Sequence, residues 1–473
     1  MATLPTTDNH IKWGETESQS LWSADVRLDA NYYNIDGLLA KKLIDSVPFK
    51  KIPLTGAHGL ASAYHRPRFK RIFVRSSAYP IFQPGQINES YPEPAAYISA
   101  RTTTDLEALR VYRGTILLTC SGTVGNSSLV SKLLDGQLFS HDLIRIKPKN
   151  DNHLGYIYAY LNSTIGKTIL LTNNYGAVVR HIEPHHLDDV MIPLLGDLDI
   201  QKIDNDVLRA FTLRDQANDL IQKSEELFYE LLRLPRINED EVAFYGGSGK
   251  KAWETGPWSN KFRLDASYYH PIGMLVTGKY KEAKLKSERL GAQNKVFELP
   301  TYKRIYLEEG FGVPFLSGRN LTEYQFSDLK YLSKTPIKNL DQYLVDEGML
   351  LITMRGTCGN VRLVDRSIAN YGASHNIMRL QPGKAYNGGF LYTFLRSDYG
   401  SKQMKTKILG SVVDVLTPED CADIIVPVCD TTIQEMIGSK VEKALALRAR
   451  ANELEAGAIE YLEEKLVPST LVI

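Results

Sequence analysis

Long apolar runs, paired prolines and closely spaced cysteines are all missing from this sequence. No stretch approaches the roughly 18 consecutive apolar residues of a membrane span. The opening MATLPTTDNHIKWGETESQS has no basic region followed by an apolar one, so no secretory signal is expected. The four cysteines (Cys120, Cys358, Cys421, Cys429) form no CxxC pair, which points to reduced thiols in a cytoplasmic protein rather than a zinc site or a disulfide framework. Pro-Pro never occurs, so the Asn/Asp-Pro-Pro-aromatic tetrapeptide of amino-methyltransferases is absent. Metalloprotease H-E-x-x-H and the G-x-S-x-G elbow are absent too, and GGSGKK at 246–251 lacks the first glycine of a phosphate-binding loop. No catalytic chemistry is therefore expected in the chain. A net charge of +1 means that nucleic-acid binding would have to come from local basic patches.

What is present is a repeat. WSADVRLDANYY (22–33) and WSNKFRLDASYY (258–269) agree at eight of twelve positions. FKRIFV (69–74) faces YKRIYL (302–307), and AYISAR (96–101) faces PFLSGR (314–319). From Gly114 onward the offset is constant at 234: Gly114 with Gly348, Ser140-His141 with Ser374-His375, Gly166 with Gly400, Gly176 with Gly410, Pro193 with Pro427. Each half thus has a segment of variable length (31–112 and 267–346) followed by one of fixed length. Loops tolerate insertion and packed elements do not, which explains the division.

The pattern predicts mixed α/β halves. RGTILLTCSGTVGN and its counterpart GMLLITMRGTCGN each read as a strand entering a glycine turn, and HDLIRIKP and HNIMRLQP as strands ended by proline. GYIYAYLNSTIGKTIL and GFLYTFLRSDYGSKQM carry helical spacing, and Thr417-Pro418-Glu419-Asp420 is a helix start. Each half ends in a long heptad-like stretch. Ile203, Val207, Ile221 and Phe228 lie on one seam, and Ile437, Val441, Ala451 and Leu462 on the other, with Arg214 and Arg448 recurring at one seam position. The alternative is two amphipathic helices, each lying on its own globule. The expected fold is α+β: two repeated mixed α/β domains separated by two long antiparallel coiled-coil helices with pseudo-twofold symmetry. The expected boundaries are 1–199, a helix at 200–234, 235–429 including a linker, and a helix at 430–473.

Candidate binding residues cluster in the variable segments and glycine turns. HRPRFKRIFVR (65–75) holds Arg66, Arg68, Lys70, Arg71 and Arg75 interleaved with Phe69 and Phe73. The second half offers Lys303, Arg304, Arg319 and Arg355, with Arg101 facing Arg319. Arginine forks read guanine edges, while lysines and small polar groups fix phosphates. On that basis Ser121, Thr123, Asn126, Arg180, Thr357 and Asn360 join the set, with the repeated His141 and His375. Each has a plainer reading, a solvated strand or a hydrogen-bonded structural histidine. RHIEPHH (180–186) suggests a metal site, but its counterpart DVLTPED has no histidine, so no metal is expected.

Taken together, GTILLTCSGTVGN with GMLLITMRGTCGN, and GAVVRHIEPHHLDDVMIPL with GSVVDVLTPEDCADIIVPV, make the chain resemble the DNA-specificity subunit of type I restriction–modification systems. The family's Pro-Pro-x-x-x-Gln signature is reduced here to Gln201 and Gln434. The resemblance implies a non-catalytic, cytoplasmic subunit with no membrane contact. Its two target-recognition domains would read a bipartite site on double-stranded DNA, with the helices as a ruler. Its partners would be two methyltransferase subunits carrying S-adenosylmethionine and, for restriction, two nuclease subunits using ATP and Mg. No cofactor is expected in this chain. Two competing readings are a DNA-reading subunit of another phage-defence or methylation complex without a type I nuclease, and a protein-binding scaffold.

Overall fold

The computed structural model describes residues 34–102, 105–172, 180–237, 268, 270–326, 328–335, 340–410 and 412–467. The motif at 22–33, nearly all of that at 258–269, Gly176 and the linker beyond residue 237 lie outside the described residues. Two compact units are formed, one from 1–215 with 450–473 and the other from 216–449.

The first unit opens with helix α1 (Ile35–Ser46), whose start is capped by the Asn34 side chain accepting from the Asp36 amide. Ten strands follow: β1 (Lys50–Pro53), β2 (Ala61–Tyr64), β3 (Phe73–Val74), β4 (Pro80–Phe82), β5 (Ala96–Ile98), β6 (Ile116–Thr119), β7 (Ser127–Leu129), β8 (Leu138–Phe139), β9 (Leu143–Pro148) and, after helices α2 (Leu154–Asn162) and α3 (Thr164–Thr172), β10 (Met191–Leu194). They make sheets in the orders β1-β10, β2-β9-β6-β7 and β3-β5-β4-β8, antiparallel except for β4 with β8. Strand β6, Ile-Leu-Leu-Thr, is buried along its whole length because it lies inside its sheet with apolar cover on both faces. Phe82, Leu117, Phe139 and Leu143 pack in one core cluster.

The second unit repeats the plan. Helix α4 (Asp197–Leu231) leads out of β10, and α5 (Ile272–Glu282) opens the next globule. Strands β11 (Lys286–Arg289), β12 (Lys295–Phe297), β13 (Tyr306–Leu307), β14 (Val313–Leu316), β15 (Lys330–Leu332), β16 (Leu350–Thr353), β17 (Val361–Leu363), β18 (Gly372–Ala373), β19 (Ile377–Gln381) and β20 (Ile425–Val428) form sheets β11-β20, β12-β19-β16-β17 and β13-β15-β14-β18. Every pairing has its equivalent in the first unit, including the parallel β14 with β18. Helices α6 (Gly388–Arg396) and α7 (Asp398–Lys407) stand for α2 and α3; α8 (Pro418–Ala422) precedes β20, and α9 (Thr431–Leu466) ends the described chain.

Three structural features add to the sequence reading. The helical run from 155 to 170 is divided into two helices where Ser163 leaves helical geometry (φ −66°, ψ 154°). Gly166 then packs so closely that a Cβ would fall 1.9 Å from the Tyr160 carbonyl oxygen, and Gly400 repeats the approach at 2.4 Å from that of Phe394. Second, both compact-unit boundaries fall inside a long helix, at 215/216 and 449/450. Third, the seam residues are all buried. Phe228 has its ring centroid 6.0 Å from Phe390, 6.3 Å from Phe394 and 6.2 Å from Tyr399, so it anchors α4 on its globule.

Within each unit the two helix segments run antiparallel. In the first, Asp199 meets Tyr461 (2.5 Å) and Lys465 (3.2 Å), while Arg214 meets Asn452 at 2.8 Å. In the second, Arg448 donates to Asn218 at 2.8 Å. Each unit takes the arginine from one helix and the asparagine from the other, and each pair is the repeat image of the other at the offset of 234.

Candidate nucleic-acid interface

The glycine turns after β6 and β16 are held the same way. Gly122 (φ 73°) and Gly125 (φ 91°), like Gly356 (φ 76°) and Gly359 (φ 91°), adopt left-handed backbone that a side chain resists. Thr119 receives the Gly125 amide and donates its own to Asn126, and Thr353 does the same with Gly359 and Asn360. The turn then docks on a second segment. Gly122 donates to the Arg180 carbonyl at 3.1 Å, and Gly356 to that of Asp414 at 2.9 Å. Ser121 bridges to His181, and Arg355 to Val415. Arg180, Thr123, Arg355 and Thr357 are left exposed around these turns. Asn126, however, is buried (8% exposed) and its amide is spent on the Thr119 hydroxyl, so it closes the turn and is no surface contact. Asn360 makes the same bond and is half-buried.

Beside each turn, residues 70 and 71 positions apart converge. Arg71 places a guanidinium nitrogen 3.4 Å from His141 Nδ1, and Arg304 places one 3.2 Å from His375 Nδ1. Phe69 meets the His141 ring edge-on at 6.0 Å with Arg71 5.9 Å above it, while Arg304 lies 5.7 Å over Phe315. Burial lowers both histidine pKa values. At His141 the nearby Asp142 opposes this while Arg71, Arg68 and His65 reinforce it. At His375, Arg304 and Arg355 reinforce it and Glu298 opposes it. Both imidazoles are accordingly neutral at pH 7.

The remaining predicted residues divide. Lys70, Lys303, Arg68 and Arg101 are exposed. Arg66 lies 5.0 Å over the Tyr64 ring. Arg319 pairs at 3.0 Å with the buried Glu323, and so serves its own loop. His65 pairs with Glu183 at 2.8 Å, tying the basic segment to RHIEPHH; among the described residues no group of three or more His, Cys, Asp or Glu could hold a metal.

Two residues with a structural role were missed. Arg145 and Arg379 are 1% exposed, and among the described residues no carboxylate meets them. Arg145 donates to the carbonyls of Leu143, Leu109 and Phe139, and Arg379 to those of Ile377, Tyr343 and Ala373. Burial pulls both guanidinium pKa values down to about 10. These two arginines stitch the central sheet to the neighbouring one beneath the Arg–His pairs. Their signal was an arginine in an apolar strand at the same offset in both halves: L-I-R-I and I-M-R-L.

Residues 295–463 match the family described as Type I restriction modification DNA specificity domain. The first unit repeats that domain sheet for sheet. The match covers less than half of this chain. No curated protein matches it. Among solved structures, the type I S subunit from M. genitalium is 16% identical, with 90% of this chain and 97% of that one covered at a TM-score of 0.35. The HsdS subunit from Thermoanaerobacter tengcongensis is 14% identical over 87% and 99%, at 0.28. A chain solved in a study of complex assembly and conformational transition of the type I R-M system is 14% identical over 89% and 98%, at 0.27. At these scores the likenesses carry no argument. What the chain itself carries is the domain match at 295–463 and the internal repeat. Among its described residues no helix is long and apolar enough to cross a membrane.

Proposed function

We propose that this protein is a DNA-specificity subunit of the type I restriction–modification kind, which reads a bipartite double-stranded DNA site, one half-site per unit, and directs two methyltransferase subunits to it. The observation that carries this is the specificity-domain match at 295–463, whose sheet orders recur in the first unit, with an Arg–His pair beside a glycine turn in both units. Arginine, lysine and turn hydroxyls supply phosphate and base-edge contacts. The chain itself performs no chemistry in this reading. S-adenosylmethionine belongs to the methyltransferase partner, which flips its target base. ATP and Mg belong to two nuclease subunits where restriction occurs, and the assembly works in the cytoplasm. The long helices act as the ruler for the unread spacer.

The test is methylation mapping in cells expressing the chain with its methyltransferase. Exchanging residues 31–112 for those of a relative should change one half of the methylated motif only; a change in both halves rejects modular reading. Inserting four residues near Glu225 adds about 6 Å of helix, close to two base pairs at about 3.4 Å each. The motif should keep both halves and gain one or two unread positions. An unchanged spacer in an active assembly removes the ruler. The purified chain alone should transfer no methyl group from S-adenosylmethionine.

A further inference from the structure

We propose that His375 donates a hydrogen bond from Nε2 to an acceptor on DNA, that Arg304 is its positioning residue, and that Asp142 withdraws the equivalent donor in the first unit. This rests on the DNA-reading function above and assigns chemistry within it.

A guanidinium carries only N–H groups, so in each Arg–His pair the imidazole Nδ1 must accept. The lone pair is then on Nδ1 and the single proton on Nε2, which fixes one neutral tautomer. Arg71 with His141 and Arg304 with His375 both meet this condition. Beyond that the units part. In the first, His141 Nε2 lies 3.2 Å from Asp142 Oδ1, and Arg71 is 3.8 Å from the same carboxylate, so the proton is consumed inside the protein. In the second, position 376 holds Asn in place of Asp, and its side-chain oxygen accepts from Arg355 at 3.3 Å. Among the described residues nothing meets His375 Nε2. The ring is half-buried, and it stands beside the exposed Arg355. The charged groups facing it are Arg304, Arg355 and Glu298. A neutral donor flanked by two guanidinium groups suits an acceptor on a polyanion: guanine N7 or O6, or a phosphate oxygen. Arg304 repels a second proton on the ring, so the donor is the same across neutral pH.

The experiment uses the full chain and two labelled duplexes, one carrying the site found by methylation mapping and one scrambled. If the wild-type chain, alone and with its methyltransferase, fails to distinguish them, the DNA-specificity reading fails and not this inference. Given discrimination, His375→Ala should weaken binding to the site by about five- to a hundredfold, the range of one good base contact. His375→Gln, which keeps an N–H, should restore most of it. Asn376→Asp copies the first unit and should weaken binding as His375→Ala does, with no further loss in the double variant. Arg304→Lys, which keeps a donor for Nδ1, should lose less binding than Arg304→Ala. Arg304→Ala should bind more tightly as pH falls through the imidazole range, because the ring then protonates more readily; the wild type should show less of this. Wild-type affinity in a folded His375→Ala chain overturns the proposal. So does a full Asn376→Asp effect in the His375→Ala background, which would reduce it to added negative charge.

Discussion

The two units share every strand pairing, yet they settle the same buried charge by different means. In the first, Arg214 is 5% exposed and pairs with the fully buried Glu455, which also accepts from the Tyr158 hydroxyl. In the second, the position equivalent to Glu455 is Ile221. Arg448 there bonds to Asn218 and to Tyr392. Burial would raise the Tyr392 phenol pKa, but Arg396, Arg448 and Arg362 outweigh it and hold it below the usual value. The tyrosines of α2 also bond outward, Tyr156 to the Pro193 carbonyl and Tyr160 to that of Met191; Phe390 and Phe394 replace them in α6. Duplication therefore preserved the backbone plan, while the polar partners inside it drifted separately. A fold constrains shape and satisfied hydrogen bonds, and several sets of side chains meet that constraint.

This contrast can be broken most sharply at Glu455. Glu455→Ala leaves Arg214 buried without its carboxylate, and should destabilise the first unit by about 3–5 kcal/mol. Hydrogen exchange should register this in residues 154–215, with the second unit's protection nearly unchanged; equal loss in both would show that the units do not fold as separate cooperative blocks. Next come Arg145→Met and Arg379→Met. Each strips three carbonyls of their donor and should cost about 2–3 kcal/mol in its own unit. Similar costs in the two units are expected, because here the partners are the same; a difference above about 1 kcal/mol would contradict the shared design.

The glutamines repeated at the starts of α4 and α9 sharpen the comparison further. Gln434 is buried and bonds to the Asn387 amide and to the carbonyls of Ala385 and Cys429. Gln201 is exposed. Gln434→Ala should cost about 1–3 kcal/mol by orphaning buried backbone groups, and Gln201→Ala less than about 0.5 kcal/mol, read from denaturant midpoints. The smallest effect concerns pH. His141 and His375 have pKa values below the unfolded value, so the unfolded chain takes up protons first on acidification. Their contribution to stability is complete above about pH 6.5 and is lost as pH falls from there through the lower folded-state values. Replacing both with Gln should flatten the loss of stability below about pH 6.5, as measured by thermal midpoints.

From the sequence alone, the constant offset of 234 established the duplication, the central strands, the glycine turns and the long helices, because packed elements cannot absorb insertions. It also placed Arg71, Arg304, His141 and His375 among the candidates as single residues. What it could not supply was partnership. Arg71 reaches His141 across 70 positions, and Arg145 looks like a misplaced surface residue until three carbonyls close around it. Asn126 reads as a turn residue free to touch DNA, but the tertiary structure buries it. Gln201 and Gln434 are one letter in the same phrase, and only packing separates a solvated side chain from a buried one. Periodicity and repeat register are local properties of a chain, and they are written in it. Hydrogen-bond satisfaction and burial depend on which distant segments meet, and only the folded chain decides that.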